Sequence, residues 1–174
     1  EIKTLLPELL SAAKLMHQKD PEIQFSLSLA NENLKSWVKD QIQGLDIVLS
    51  SGDAHEKIRN SDLVIVASGT ATLEVALLAV PMVVVYKLSK VSYQIVKRLL
   101  NTKNISLPNQ ILGREIVPEL IQNDVSGENI FEHAMNLIES DNTKLVKELE
   151  KIHGLLNQKA SAKSAEAIIE FLHG

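Results

Sequence analysis

Residues 61–87 read SDLVIVASGTATLEVALLAVPMVVVYK. The segments DLVIVA and PMVVVYK are apolar without alternation, as strands are when helices cover both faces of their sheet. TATLEVALLA, between them, reads as a helix, and a strand–helix–strand order implies a parallel pair. The junction SGTATLE (68–74) then stands out. It sets three hydroxyl side chains, a glycine and a glutamate where a strand gives way to a helix. In open parallel sheets, ligands sit at this carboxyl edge, where helix N-termini point at them.

The rest of the chain extends the same pattern. Residues 4–18 place Leu5, Leu6, Leu9, Ala12, Ala13 and Met16 on one helical face. Pro7 is tolerable in a first turn, which puts the expected helix start near Thr4. PEIQFSLSLA alternates Ile23, Phe25, Leu27 and Leu29 as a strand does, and LDIVLS is a second strand. NENLKSWVKDQI reads as a short helix with Asn31 as its N-cap, and GDAHEKIRNS as a short helix and turn. After residue 88 helices dominate: SKVSYQIVKRLLN, GENIFEHAMNLIES, and stretches near 142–156 and 159–172, with ISLPNQILGREIVPELIQ read as a loop entering a helix. The alternation predicts a doubly wound α/β domain with one parallel sheet of four strands and a helical C-terminal part. Such units open on a strand, whereas this sequence opens on a helix. A first strand upstream of Glu1 is therefore expected, with residues 1–174 a fragment of one domain.

Composition narrows the chemistry. The 174 residues are 45% hydrophobic but only 3% aromatic, so the core is aliphatic, and the absence of cysteine excludes disulfides and thiolate chemistry. No apolar run reaches the roughly 18 residues of a membrane span, and EIKTLLPELL lacks signal-peptide anatomy. A cytoplasmic location is compatible with this. The net charge of −4 is unevenly spread. Residues 75–114 contain no acid but hold Lys87, Lys90, Lys97, Arg98, Lys103 and Arg114. That local excess suggests an anionic ligand or surface, while the acidic remainder argues against nucleic acid.

Each candidate has an ordinary alternative. Ser68 or Thr70 could simply cap the helix, with Glu74 complementing its dipole. A capping box would need Ser or Thr at position 71, which is Ala71, so Glu74 is not explained that way. A carboxylate there could accept from a ribose diol while amides beside Gly69 hold phosphate oxygens. No G-x-G-x-x-G or G-x-x-x-x-G-K-[ST] loop is present, which counts against a dinucleotide oxidoreductase or a P-loop enzyme. Lys90, Gln94, Lys97 and Asn101 share a helical face with Arg98 beside them, and Val91, Ile95, Val96, Leu99 and Leu100 cover the other side; the cations are either a solvated face or a contact for anionic lipid or phosphorylated substrate. SLPNQ (106–110) reads as a rigid polar turn in which Asn109 can donate and accept. The five histidines lack metal-ligand spacing and read as surface residues, and Trp37 and Tyr93 as packing residues.

Taken together, SDLVIVASGTATLEVALLAVPMVVVYK and KRLLNTKNISLPNQILGREIVPELIQ resemble the C-terminal half of lipid-A-disaccharide synthase. The resemblance is specific over about 61–124 and continues co-linearly upstream. The ASGTATLE run followed by SLPN and GRE carries it.

The resemblance implies a glycosyltransferase built of two Rossmann-like domains (the GT-B arrangement), with the donor nucleotide held by the C-terminal one. The family transfers 2,3-diacylglucosamine from its UDP donor to 2,3-diacylglucosamine 1-phosphate, inverting the anomeric centre without a metal or cofactor. It implies that Ser68, Gly69, Thr70, Ala71 and Thr72 line the diphosphate, that Glu74 holds the ribose, that Ser50 and Ser51 lie near uracil, and that Asn109 faces the donor or the cleft. The family's Gly-Ser-Arg turn and catalytic acid–base residues precede this sequence, so the 174 residues alone are expected to be inactive. Expected partners are the N-terminal catalytic domain and an anionic inner-membrane surface reached through Lys90, Lys97 and Arg98. A homodimer stays open, as does a crossing of the 142–174 helices to a partner domain or subunit. The alternatives are another two-domain UDP-sugar transferase of the peptidoglycan type and a non-catalytic α/β nucleotide-binding module.

Overall fold

The computed structural model describes residues 2–29, 31–88 and 104–156. The chain begins with helix α1 (Ile2–Lys19), followed by strand β1 (Phe25–Ser28), helix α2 (Lys35–Gln41) and strand β2 (Ile47–Ser50). Helix α3 (Ala54–Arg59), strand β3 (Val64–Ala67), helix α4 (Thr70–Leu77) and strand β4 (Met82–Tyr86) come next. Then follow α5 (Leu107–Leu112), β5 (Glu119–Ile121), α6 (Gly127–Glu139) and α7 (Thr143–Leu156). All three strand pairings among the described residues are parallel, in the order β1-β2 and β3-β4-β5. The fold is the expected α/β architecture of parallel strands flanked by helices.

The continuous apolar run of β4 has a direct explanation. Val83 and Val85 pack into a cluster with Leu5, Ala12, Ile130 and Ala134, supplied by α1 and α6. Met82 and Val84 pack into a second cluster with Val75, Ala76, Leu149 and Ile152, supplied by α4 and α7. Successive side chains of a strand point to opposite faces, so a strand sandwiched between two helical layers needs apolar residues at every position. Each of the valine, leucine, isoleucine and methionine side chains among them contributes roughly 1.5–3 kcal/mol by leaving water. Leu149 and Ile152 also place α7 on this sheet, so the first of the two C-terminal helices lies against its own domain; residues 159–172 fall outside the described ones.

Three local expectations need correcting. Helix α1 starts at Ile2, which puts Pro7 in its second turn. The bond Pro7 cannot make is to the carbonyl of Lys3, an exposed residue, where water can replace it. The segment read as a loop entering a helix is instead helix α5, a Gly113 left-handed cap (φ 67°), and then strand β5. A three-residue strand is too short for periodicity; the free edge of β4 defines it, pairing Val84, Val85 and Tyr86 with Glu119, Leu120 and Ile121. The single expected sheet is also divided, because no ladder joins β1 to β3 among the described residues. Phe25 of β1 and Ile65 of β3 instead pack against the same cluster beneath α1. The β1–β2 pair is one-sided: Leu27 and Leu49 are half-buried against α1 and α2, while Ser26, Ser28 and Val48 are exposed. The Asn31 cap is as expected, its side chain accepting from the Asn33 amide at 3.0 Å.

Two close fits hold the helices in place. At the C-terminus of α4, Ala79 takes a left-handed conformation (φ 54°), Ala79 N donates to Ala76 O and Val80 N to Val75 O. This is a Schellman cap with alanine where glycine is usual. Where α6 meets α1, Gly127 lies so near Ser11 that an added Cβ would come within 2.5 Å of Ser11 Cβ.

Candidate nucleotide site at the carboxyl edge of the strands

Strand β3 ends where the Ser68 amide donates to Val85 O at 3.0 Å, adding one more rung to the ladder. The next residue, Gly69, has φ 140° and ψ −161°, a region reserved in practice for glycine. The backbone therefore turns sharply, and α4 begins at Thr70 without a side-chain cap. Neither Ser68 nor Thr70 is the cap that ordinary helix chemistry would supply. The Thr72 amide donates to Gly69 O at 3.1 Å, while the amides of Thr70 and Ala71 have no partner among the described residues. Gly69, Thr70 and Ala71 are all exposed. An open helix start with two unused donors suits an anion.

The hydroxyls behave differently from the amides. Thr72 is fully buried; its Oγ1 donates to Gly69 O at 2.7 Å and accepts from the Leu107 amide at 3.4 Å. Ser68 Oγ donates to Ile105 O at 3.1 Å. Both side chains brace the helix start against the 105–107 turn. Asn109 is likewise fully buried and does not face open space. Its Oδ1 accepts from the amides of Ile116 (2.7 Å) and Val117 (3.1 Å), and its Nδ2 donates to Val117 O (2.9 Å) and Glu119 Oε1 (2.7 Å). All four of its hydrogen-bonding positions are thereby filled.

Glu74 lies in the second turn of α4, one turn beyond the place where it would complement the exposed amides. Its Oε2 lies 3.6 Å from His55 Nε2 of α3. This contact brings the helix after β2 to the helix after β3. On the β2 side, Ser50 Oγ and Asp53 Oδ1 are buried without a partner among the described residues, whereas Ser51 Oγ donates to Glu32 Oε1 at 2.5 Å. Buried polar atoms without a partner at a strand terminus call for an explanation, such as a bound water, ion or ligand group. Ser50 thus offers a free group and Ser51 an engaged one. Nothing local marks Asp53, and His55 reads only as a surface residue; Glu119, an acid inside the apolar run IVPELI, is the one of the three that carries a sequence signal of a partly buried, partnered charge.

At Lys87 and Arg114, the two cations of this window among the described residues, the expected positive field is weaker than the sequence suggested. Lys87 Nζ lies 2.9 Å from Glu8 and also donates to Val125 O at 3.3 Å. Arg114 pairs with Glu148 at 2.5 Å, and Glu148 also binds Lys151 at 2.6 Å. Acids distant in sequence neutralise both cations. Lys90, Lys97, Arg98, Lys103 and Tyr93 lie outside the described residues. Trp37 is a packing residue, partly buried with Lys3 Nζ 5.6 Å from its ring centre. An open groove of about 380 Å³, lined by residues 115–118 with His133, Asn136 and Leu137, lies at the opposite, amino end of β5 and is no part of this edge.

The lipid-A-disaccharide synthetase family model matches residues 1–171. The chain is 36% identical over 179 residues to the lipid-A-disaccharide synthase of Alteromonas mediterranea, covering 99% of this chain and 47% of that protein. It is 36% identical to the synthase of Hahella chejuensis (99% and 45%) and 37% identical to that of Aeromonas hydrophila (99% and 46%). The chain spans about half the length of the curated relatives it matches. It belongs to the lipid-A-disaccharide synthetase family.

Proposed function

We propose that this chain is the UDP-sugar-binding half of an inverting glycosyltransferase that joins UDP-2,3-diacylglucosamine to 2,3-diacylglucosamine 1-phosphate in lipid A biosynthesis. The observation that carries the reading is the open start of α4, where Gly69 leaves the Thr70 and Ala71 amides exposed and unpaired among the described residues. These amides and the helix dipole would hold the diphosphate and stabilise its charge as the UDP leaves. Glu74 would accept from the ribose diol, and Ser50 would offer its hydroxyl to the base, with Ser51 nearby on the same loop. Ser68, Thr72 and Asn109 would act by holding this backbone in place. Their hydrogen bonds within the protein support that role.

Displacement at the anomeric carbon needs a base at the acceptor hydroxyl. No residue of the α4 edge is assigned that task, so the 174 residues alone would capture donor without turning it over. The cationic face of Lys90, Lys97 and Arg98 would meet an anionic membrane surface on the cytoplasmic side. No helix among the described residues is long and apolar enough to cross a membrane.

Calorimetric titration of UDP into the chain is the direct test. Heat of binding in the wild type, reduced in Glu74→Ala, is the expected outcome. No binding by the wild type would overturn the reading, and equal binding by the variant would overturn the ribose assignment. Measurable glycosyl transfer by these residues alone would overturn the assignment of donor capture only.

A further inference from the structure

Glu119 stands at the start of β5 with both carboxylate oxygens engaged. Oε2 accepts from the Ile105 amide at 2.8 Å. Oε1 accepts from the Ser106 amide at 2.9 Å, from Ser106 Oγ at 2.6 Å and from Asn109 Nδ2 at 2.7 Å. The carboxylate thus takes four donors, three of them converging on Oε1 and one on Oε2. Such charge-assisted bonds are stronger than neutral ones, so the 105–106 backbone is fixed to β5.

That fixed turn in turn holds the start of α4. Ile105 O accepts from Ser68 Oγ, and the Leu107 amide donates to Thr72 Oγ1. Ser68 and Thr72 flank the three residues, Gly69 to Ala71, whose backbone forms the open end. We propose that Glu119 is a positioning residue of the nucleotide site: acting through the 105–107 turn, it sets where the Thr70 and Ala71 amides aim. It touches no ligand. The proposal rests on the nucleotide-binding reading above and extends it to a residue on β5, separated from β3 by the whole of β4.

The test pairs two variants. Glu119→Gln keeps an acceptor for Ser106 and Asn109 but sets an amide donor against the Ile105 N–H. Ile130→Val trims the core on the opposite face of the sheet and serves as the control for lost stability. UDP is titrated into the wild type and both variants, and the amide NMR signals of residues 69–72 are recorded without ligand. Glu119→Gln should weaken UDP binding about tenfold and move those signals, as expected for a lost charge-assisted bond. Ile130→Val should do neither. Unchanged UDP affinity in Glu119→Gln overturns the proposal, whatever the thermal stability does. If the wild type itself fails to bind UDP, the nucleotide reading falls on its own; unmoved signals at 69–72 would then separately overturn the positioning of α4 by Glu119.

Discussion

His55 Nε2 lies 3.6 Å from Glu74 Oε2, joining the helix after β2 to the helix after β3. Both side chains are largely exposed, at 72% and 47%, so the pair itself contributes no more than about 1 kcal/mol. Its importance is geometric: it places the His55 imidazole beside the carboxylate assigned to the ribose. Glu74→Ala is expected to weaken UDP binding about tenfold or more, the consequence of losing hydrogen bonds to a charged acceptor. His55→Ala should weaken it by no more than about fivefold. Calorimetry on the two variants checks the order, and a larger effect at His55 would move the ribose contact away from Glu74.

Asn109→Ala should be among the most destabilising single changes. It would leave the amides of Ile116 and Val117 and the Val117 carbonyl short of a partner in a buried region. Each unsatisfied group costs about 1–3 kcal/mol, so a loss of at least about 3 kcal/mol is expected in urea unfolding. A loss below about 1 kcal/mol would mean that water replaces the side chain.

Ala79→Gly should stabilise the protein. Alanine occupies the left-handed position of the α4 cap at φ 54°, where its Cβ is strained and glycine is not. A gain of about 1 kcal/mol in thermal or urea unfolding is expected, offset in part by the greater freedom of glycine in the unfolded chain.

Gly127→Ala should act in the opposite direction. The new Cβ would press on the Ser11 side chain and lie 3.2 Å from the Ala12 amide nitrogen, at the contact of α6 with α1. Overpacking of this kind costs about 1–3 kcal/mol. Ser11→Gly removes the obstructing atoms, so the penalty for Gly127→Ala should shrink in that background. A double-mutant cycle measures the coupling, and additive effects would show that the helices separate rather than clash.

Glu148 links stability to pH. Its hydrogen bond from Lys151, with the charges of Arg114 and Lys151, holds its carboxyl below the ordinary value of 4.5, against the opposing effect of burial. A carboxylate with a depressed folded-state pKa stabilises the fold above its unfolded-state value. That contribution is lost as pH falls through the folded-state value. Glu148→Gln should therefore lower stability near neutral pH and flatten the acid limb of the stability curve. Parallel wild-type and variant curves below pH 4.5 and above it would show that the ion pairs carry no net stability.

The sequence made much of the fold legible for local reasons. In 61–87 the period, the glycine and the flanking residues all act within a few positions, so β3, α4 and β4 could be read directly. Strand β5 could not. ELI has no period of its own, and VPELIQ reads equally well as the start of a helix until β4 offers it an edge. The site followed the same division. Gly69 was legible because its backbone conformation belongs to the residue type. The roles of Ser68 and Thr72 were not, because a hydroxyl serves a ligand or a neighbouring carbonyl equally well.

The sequence by itself determined the parallel α/β class, the buried β4 strand, the family and the place where α4 starts. These follow from side-chain periodicity, local conformational preference and motif identity. That this start has no side-chain cap was decided by the structure. Tertiary structure alone decided which polar groups remain free. It brought Ile105 and Leu107 to Ser68 and Thr72, Glu8 to Lys87, Glu148 to Arg114, and His55 to Glu74. Hydrogen bonds and ion pairs are satisfied by whichever partner the packed helices and strands bring within about 3 Å, and sequence separation carries no information about that distance.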